Sequence, residues 1–300
     1  MLHIAQFAIL EVMLQALLGV RKQEHLDHLG KVFRGWNDAQ NPLVGIPWLQ
    51  RNFFGFGPYA TFMRYKNEFG DFINQLIKEN REGDGGDDIL SLMVRSKYED
   101  GTSMESEHIT DHMRTLIIAG YDTTANTIAW GIDTIFRPPE ILKKLRDELD
   151  GAPKDTDYGE MAQLPFLDAT CYELMRLRPP FELIPSRKLT KPLLLGRYEI
   201  QPGTGVMPCP VMAQRNPKLF PNPNEFKPER FIGKRPNSFE YFPYGGGRRL
   251  CIGYAFANYQ LRLVIGTILK EYDLELMGSA PKAKRYSAVV GPSGTIPVKL

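Results

Sequence analysis

From Ser103 to Phe136 the chain reads SMESEHITDHMRTLIIAGYDTTANTIAWGIDTIF, and no proline interrupts it. The run predicts one unbroken α-helix. A helix of that length and apolar content belongs in the middle of a domain, so it is the first constraint on the fold.

The elements around it follow from period and punctuation. Residues 1–18 predict a helix, and so do 59–81, which end in the hydrophilic turn EGDGGDD. Residues 35–58 read as an aromatic loop rich in glycine and proline, and 88–97 as a short helix. PPEILKKLRDELDG has proline at its start and Gly151 as its stop. Residues 164–177 predict a further helix, closed by Pro179 and Pro180. The period then changes. PLLLGRYEIQPGTGVMPCPV carries short apolar runs split by glycine and proline and predicts a small sheet. Residues 215–250 form a long proline-rich coil, of a length that is usually functional or disordered. Cys251 opens a helix to about Leu269, and YDLEL and TIPVKL predict a closing strand pair. The expected class is mainly α with a small β portion.

Composition excludes several readings. The chain is 43% apolar and 24% charged, as a globular protein is. Its net charge of +2 gives no support for a nucleic-acid partner. Three cysteines, Cys171, Cys209 and Cys251, make no disulfide framework and fit a reducing compartment. The opening MLHIAQFAILEVMLQALLGV has no basic start, and His3, Gln6, Glu11 and Gln15 interrupt it. It reads as a buried helix rather than a signal peptide or an anchor.

Phosphate and zinc sites find little support. GGGRR lacks the Lys-Ser/Thr ending of a phosphate loop, and GFGPYA, residues 55–60, has no strand leading into it. His108 and His112 share a helix face, but Ile109 stands where a zinc protease has glutamate, so solvated histidines are the better reading. His3, His25 and His28 complete no ligand set.

FPYGGGRRLCIG, Phe242 to Gly253, is different. A cysteine at a helix start meets the positive end of the helix dipole, which favours thiolate. Gly245, Gly246 and Gly247 let the chain fold tightly before the sulfur, and Gly253 lets another group come close to the backbone. Arg248 and Arg249 offer guanidinium forks for carboxylates. A soft sulfur, a tight loop and a carboxylate-binding arginine together suit heme, with thiolate on the iron and arginine on the propionates. Cys171 and Cys209 read as inert thiols.

The stretch resembles the heme-binding signature of the cytochromes P-450, F-x-x-G-x-R-x-C-x-G. Tyr244, Gly247, Arg249, Cys251 and Gly253 fall on it, with Tyr244 in the phenylalanine place. That tyrosine adds a hydroxyl that needs a partner. AGYDTT, Ala119 to Thr124, resembles the family's oxygen-binding stretch of the central helix. ELMR, Glu173 to Arg176, resembles the E-x-x-R helix, FKPERF supplies Arg230, and RPPFELIPSR places Arg187 as a second propionate-binding arginine. Each motif alone is weak; in this order and spacing they reinforce one another.

The resemblance implies one partial P-450 domain over 1–300, helical to residue 177 with the oxygen-binding helix at 103–136. Small sheet, coil, cysteine loop and following helix occupy 178–300. It implies heme b (iron protoporphyrin IX) with Cys251 as axial ligand, held also by Arg249, Arg187, Tyr244, Gly247 and Gly253. Ala119 and Gly120 would leave room on the oxygen side, Asp122 and Thr123 would relay protons to dioxygen, and Glu173, Arg176 and Arg230 would form a structural ion network. The implied activity is monooxygenation of a hydrophobic organic substrate. Thiolate-heme isomerase or peroxygenase chemistry, or an inactive fragment, are the alternatives. Candidate pocket walls are Ile117, Ile118, Leu183, Ile184, Val289 and Val290, roofed by Phe53 and Phe54. No flavin or iron–sulfur motif is present, so electrons would come from an external ferredoxin or flavoprotein reductase, docking at Lys234, Arg235 and Arg248. A cytoplasmic or peripherally membrane-associated place is expected, with no transmembrane segment in this chain. Family domains carry further elements upstream of the point matched by Met1. The chain therefore reads as N-terminally truncated, with weak heme binding, self-association and little activity as the expected consequences.

Overall fold

In the computed structural model the chain is described at all residues except 41, 52–54, 84 and 287–288, with backbone alone at 42, 43 and 49. The α-helices, in chain order, are α1 (Leu2–Leu18), α2 (Gln23–Ala39), α3 (Pro58–Glu82), α4 (Ile89–Arg95) and α5 (Ser106–Phe136). They continue with α6 (Pro139–Gly151), α7 (Tyr158–Met161), α8 (Pro165–Leu177), α9 (Pro210–Gln214) and α10 (Tyr254–Glu271). The strands are β1 (Arg187–Lys188), β2 (Leu193–Leu195), β3 (Tyr198–Ile200), β4 (Gly205–Val206), β5 (Glu275–Leu276), β6 (Ala283–Tyr286), β7 (Val289–Pro292) and β8 (Val298–Lys299). Among the described residues they pair as antiparallel couples, β1 with β4, β2 with β3, β5 with β8 and β6 with β7. The protein is mainly helical with a small β portion.

Two compact units divide the chain, Gln6–Tyr121 and a second made of Met1–Ala5 with Asp122–Leu300. In the first, α2 carries Leu26, Leu29, Phe33 and Trp36 on one face, and all four are buried. Phe69, Ile73 and Ile77 of α3 are buried as well. Phe33 meets Tyr121 at 5.0 Å edge-on and Phe69 at 5.7 Å between ring centroids. Such pairs add about 0.5–1.5 kcal/mol each beyond their area. α2 corrects the sequence reading: the loop expected from residue 35 starts only after Ala39, because the apolar stripe of α2 runs on through Trp36.

The second unit is built on the latter part of α5, where residues 124–133 are all buried. Gly131 permits this: a Cβ there would stand 2.9 Å from Ile265 of α10 and 3.0 Å from Leu174 of α8. Leu261, Ile265 and Leu269 recur every fourth residue on α10 and are buried. The predicted closing strand pair is β5 with β8, whose register sets Glu275 opposite Lys299 and Leu276 opposite Val298. Among the described residues no single helix is long and apolar enough to cross a membrane.

Candidate functional site

The loop before α10 is shaped by its glycines. Gly245 and Gly247 take φ of 73° and 62°, a region that side chains other than glycine's enter at a cost. A 3₁₀ turn covers Gly247–Arg249, and Leu250 N–H closes it onto Gly247 O at 3.1 Å. Cys251 N–H then returns to Tyr244 O at 3.0 Å. Gly253 is the N-cap of α10, so the sulfur-bearing residue lies two positions ahead of the cap. This corrects the expected helix start at Cys251; the left-handed glycines and the 3₁₀ turn delay it.

Cys251 is exposed, whereas Cys171 is buried and Cys209 half-buried with its Sγ 3.4 Å from Glu182 O. Burial pushes the Cys171 thiol far up, the Asp168 carboxylate adds to the rise, and Arg262 works against it. Leu250 and Ile252 flank Cys251 and are exposed too, Ile252 by 88%. Arg249 is exposed and has no carboxylate partner among the described residues. Arg187 is exposed, and among the described residues its guanidinium donates to the nearby carbonyls of Pro185, at 2.8 Å, and Ser186, at 3.4 Å. An accessible thiol between apolar side chains, with guanidinium groups unclaimed by carboxylates, is a donor set that fits heme and its propionates.

Tyr244 finds the partner its hydroxyl needs: it donates to Asn258 Oδ1 at 2.9 Å. Burial raises its phenol well above the ordinary tyrosine range, and the Cys171 and Cys251 thiols add to the rise, so the hydroxyl stays a donor.

The ion network is assembled as a buried cluster. Glu173 and Arg176 are both fully buried, with Arg176 Nε on Oε2 at 2.6 Å and Nη2 on Oε1 at 2.9 Å. The other Arg176 protons reach the carbonyls of Gln214 at 2.7 Å, Pro223 at 2.8 Å and Glu225 at 3.2 Å. Glu173 Oε1 also accepts from Arg230 Nε at 3.3 Å and Lys227 N–H at 2.8 Å. Every donor of the guanidinium is used, which is what makes its burial tolerable. Gln214, missed in the sequence, joins this cluster to the cysteine loop. Its Nε2 donates to Arg176 O at 3.0 Å, and its Oε1 accepts Phe242 N–H at 3.0 Å.

On the α5 side, Asp122 and Thr123 are half-buried, and the helix is continuous through them. Their carbonyls accept from the Asn126 side chain at 2.7 Å and the Thr127 hydroxyl at 2.8 Å. Ala119 and Gly120 belong to the other unit. Ala119 is exposed there, while the space beside Gly120 is filled by Met13 rather than left open.

Of the proposed wall residues, Leu183, Ile184, Val289 and Val290 belong to the second unit. Val290 N–H donates to Pro180 O at 2.8 Å, and Ile184 Cδ1 would lie 3.9 Å from a Cβ on Gly245. β7 meets α5 where Gly291 abuts Asn126. Leu183 is exposed, Ile184 and Val289 half-buried and Val290 buried. In the first unit Ile118 is half-buried, but Ile117 is fully buried, a core residue rather than an open wall. Phe53 and Phe54 lie outside the described residues. Lys234 and Arg248 are exposed, but Arg235 is engaged: its guanidinium pairs with Asp168 and lies 4.0 Å over the Tyr172 ring.

A helical fold with a glycine-shaped cysteine loop at the head of a long helix defines a heme-thiolate class of protein. The family model described as Cytochrome P-450 matches residues 1–299, and the chain belongs to that family, whose members bind heme b. A Mycobacterium tuberculosis protein named cytochrome P-450 138 is 31% identical over 284 residues, covering 93% of this chain and 61% of that protein. One named cytochrome P-450 137 in the same organism is 30% identical over 286 residues, covering 94% and 58%. The chain thus spans about three fifths of the length of the curated relatives it matches. Of solved structures, the retinoic acid-bound cyanobacterial CYP120A1 superposes with a TM-score of 0.82 at 19% identity, covering 99% of this chain and 68% of that one. CYP102L1 gives 0.83 at 21% identity, covering 99% and 70%. Both show likeness of fold.

Proposed function

We propose that this chain carries the thiolate side and the proton-delivering helix of a monooxygenase acting on a hydrophobic organic substrate. The observation that carries the reading is Cys251, the exposed cysteine, held by its N–H on Tyr244 O at 3.0 Å near Arg249, which among the described residues has no carboxylate partner. Heme, once bound, would supply the redox chemistry by which an oxygen atom of dioxygen enters the substrate. Cys251 would hold the iron, and Arg249 and Arg187 the propionates. Asp122 and Thr123 would move protons to dioxygen from α5. Leu183, Ile184, Val289 and Val290 would exclude water and favour an apolar substrate. Electrons would come from a ferredoxin or flavoprotein reductase. Lys234 and Arg248 offer an acidic partner exposed cations.

The test is Cys251→Ser in the heme-reconstituted chain. The thiolate-type spectrum of the reduced, carbon monoxide-treated protein is expected to vanish, while Cys171→Ser and Cys209→Ser keep it. A thiolate spectrum that survives Cys251→Ser overturns the assignment.

A further inference from the structure

Tyr244 departs from the family signature, and its hydroxyl has a definite use in the fold. It donates to Asn258 Oδ1 at 2.9 Å, in the second turn of α10. The carbonyl of the same residue accepts Cys251 N–H at 3.0 Å. One residue therefore grips the cysteine backbone with its main chain and α10 with its side chain. A phenylalanine would fill the same volume and leave the second grip out.

Asn258 is in turn braced. Arg262 Nε donates to Asn258 O at 3.1 Å, and Arg262 Nη1 donates to Asp168 Oδ1 at 2.8 Å. The other oxygen of Asp168 accepts from Arg235. A continuous run of hydrogen bonds thus joins the cysteine loop to α10, to α8 through Asp168, and to the coil through Arg235. Ring contact adds to it, with Tyr244 6.4 Å from Tyr254 between centroids. The Glu173 cluster reaches the loop by a different route, through Gln214 and Phe242.

We propose that Tyr244 and Asn258 form a latch that positions the Cys251 loop on α10, braced by Arg262 and Asp168. Both latch residues are positioning residues. The latch rests on the heme-thiolate reading for its consequence, the aim of the sulfur, but its geometry belongs to the protein alone. It is therefore testable in the heme-free chain.

The measurement is amide hydrogen exchange at Cys251 in the 300-residue chain. Tyr244→Phe and Asn258→Leu are each expected to speed it about three- to tenfold, the change one net hydrogen bond supplies. Amides of α10 beyond Leu261 should keep their rates, which a general loss of stability would not allow. The double variant should exchange no faster than either single one, because the same bond is lost. Asn258→Asp keeps an acceptor for the phenol and should restore parental exchange. After reconstitution, Tyr244→Phe and Asn258→Leu should show the same reduced fraction of the thiolate-type carbon monoxide spectrum. If Tyr244→Phe does not fold, Asn258→Leu reads the same bond from its other end. Unchanged Cys251 exchange in the single variants, or additive effects in the double one, overturns the latch. Failure of the heme-thiolate reading shows itself separately, as a thiolate spectrum that survives Cys251→Ser.

Discussion

Replacing Glu173 by alanine removes a carboxylate that is fully buried and accepts four hydrogen bonds, two from Arg176, one from Arg230 and one from Lys227 N–H. Arg176 keeps its carbonyl partners but loses its counter-charge, and two of its N–H groups point into a closed site. Breaking a buried pair from one side costs about 3–5 kcal/mol. That is a large part of the roughly 5–15 kcal/mol by which a domain is stable. About 4 kcal/mol lowers the folded-to-unfolded ratio on the order of a thousandfold. The assay is urea unfolding followed by tryptophan fluorescence, with heme uptake measured on the same samples. The expected result is a much lower midpoint and loss of heme uptake, since the Arg176 carbonyl partners and Gln214 tie the coil to the cysteine loop. Glu173→Ala within about 1 kcal/mol of the parent would refute the reasoning, because only a solvated pair is worth so little.

Two further outcomes are expected. Cys171 has its pKa raised by burial, so the folded state disfavours its thiolate. Its contribution is fully present below the unfolded thiol value near 8.5 and is lost as pH rises above that, by about 1.4 kcal/mol per unit. Cys171→Ala should therefore flatten the stability profile between about pH 9 and 10, read as urea midpoints; parallel profiles for parent and variant would contradict this. Thr123→Ala should leave heme and substrate binding in place and divert reducing equivalents to peroxide in a chain that turns over. An unchanged ratio of product to electrons removes Thr123 from proton delivery.

Much of the fold was legible because helices announce themselves locally. The long run to Phe136 has no breaker and carries buried Ile109, Met113 and Ile117 at fourfold spacing, so α5 could be placed within three residues at its start. Proline at the entry of α6 and proline after α8 bounded those helices. α2 was missed because its apolar stripe lies in a charged, low-hydropathy segment whose aromatic end resembles the loop that follows. Of the candidate site, residue chemistry and the family signature propose the cysteine, its glycines and its arginines. Gln214, Asn258, Asp168 and Arg262 could not, since nothing in their spacing marks them.

The sequence by itself determined the helices, the class of the fold and the order of its motifs, because period, caps and glycine placement act within a few residues. Tertiary structure alone decided what those motifs are worth. E-x-x-R describes a surface pair as well as a buried one; Arg176 is buried because carbonyls 38, 47 and 49 residues away converge on it. The Arg235 guanidinium was equally open to a partner or to the fold, and Asp168, 67 residues distant, claimed it. Tyr244 required a hydrogen-bond acceptor that its neighbours in the chain do not name, and the packing of α10 against the loop supplied Asn258. Burial and long-range polar pairing depend on which surfaces meet, and that is settled only when the helices pack.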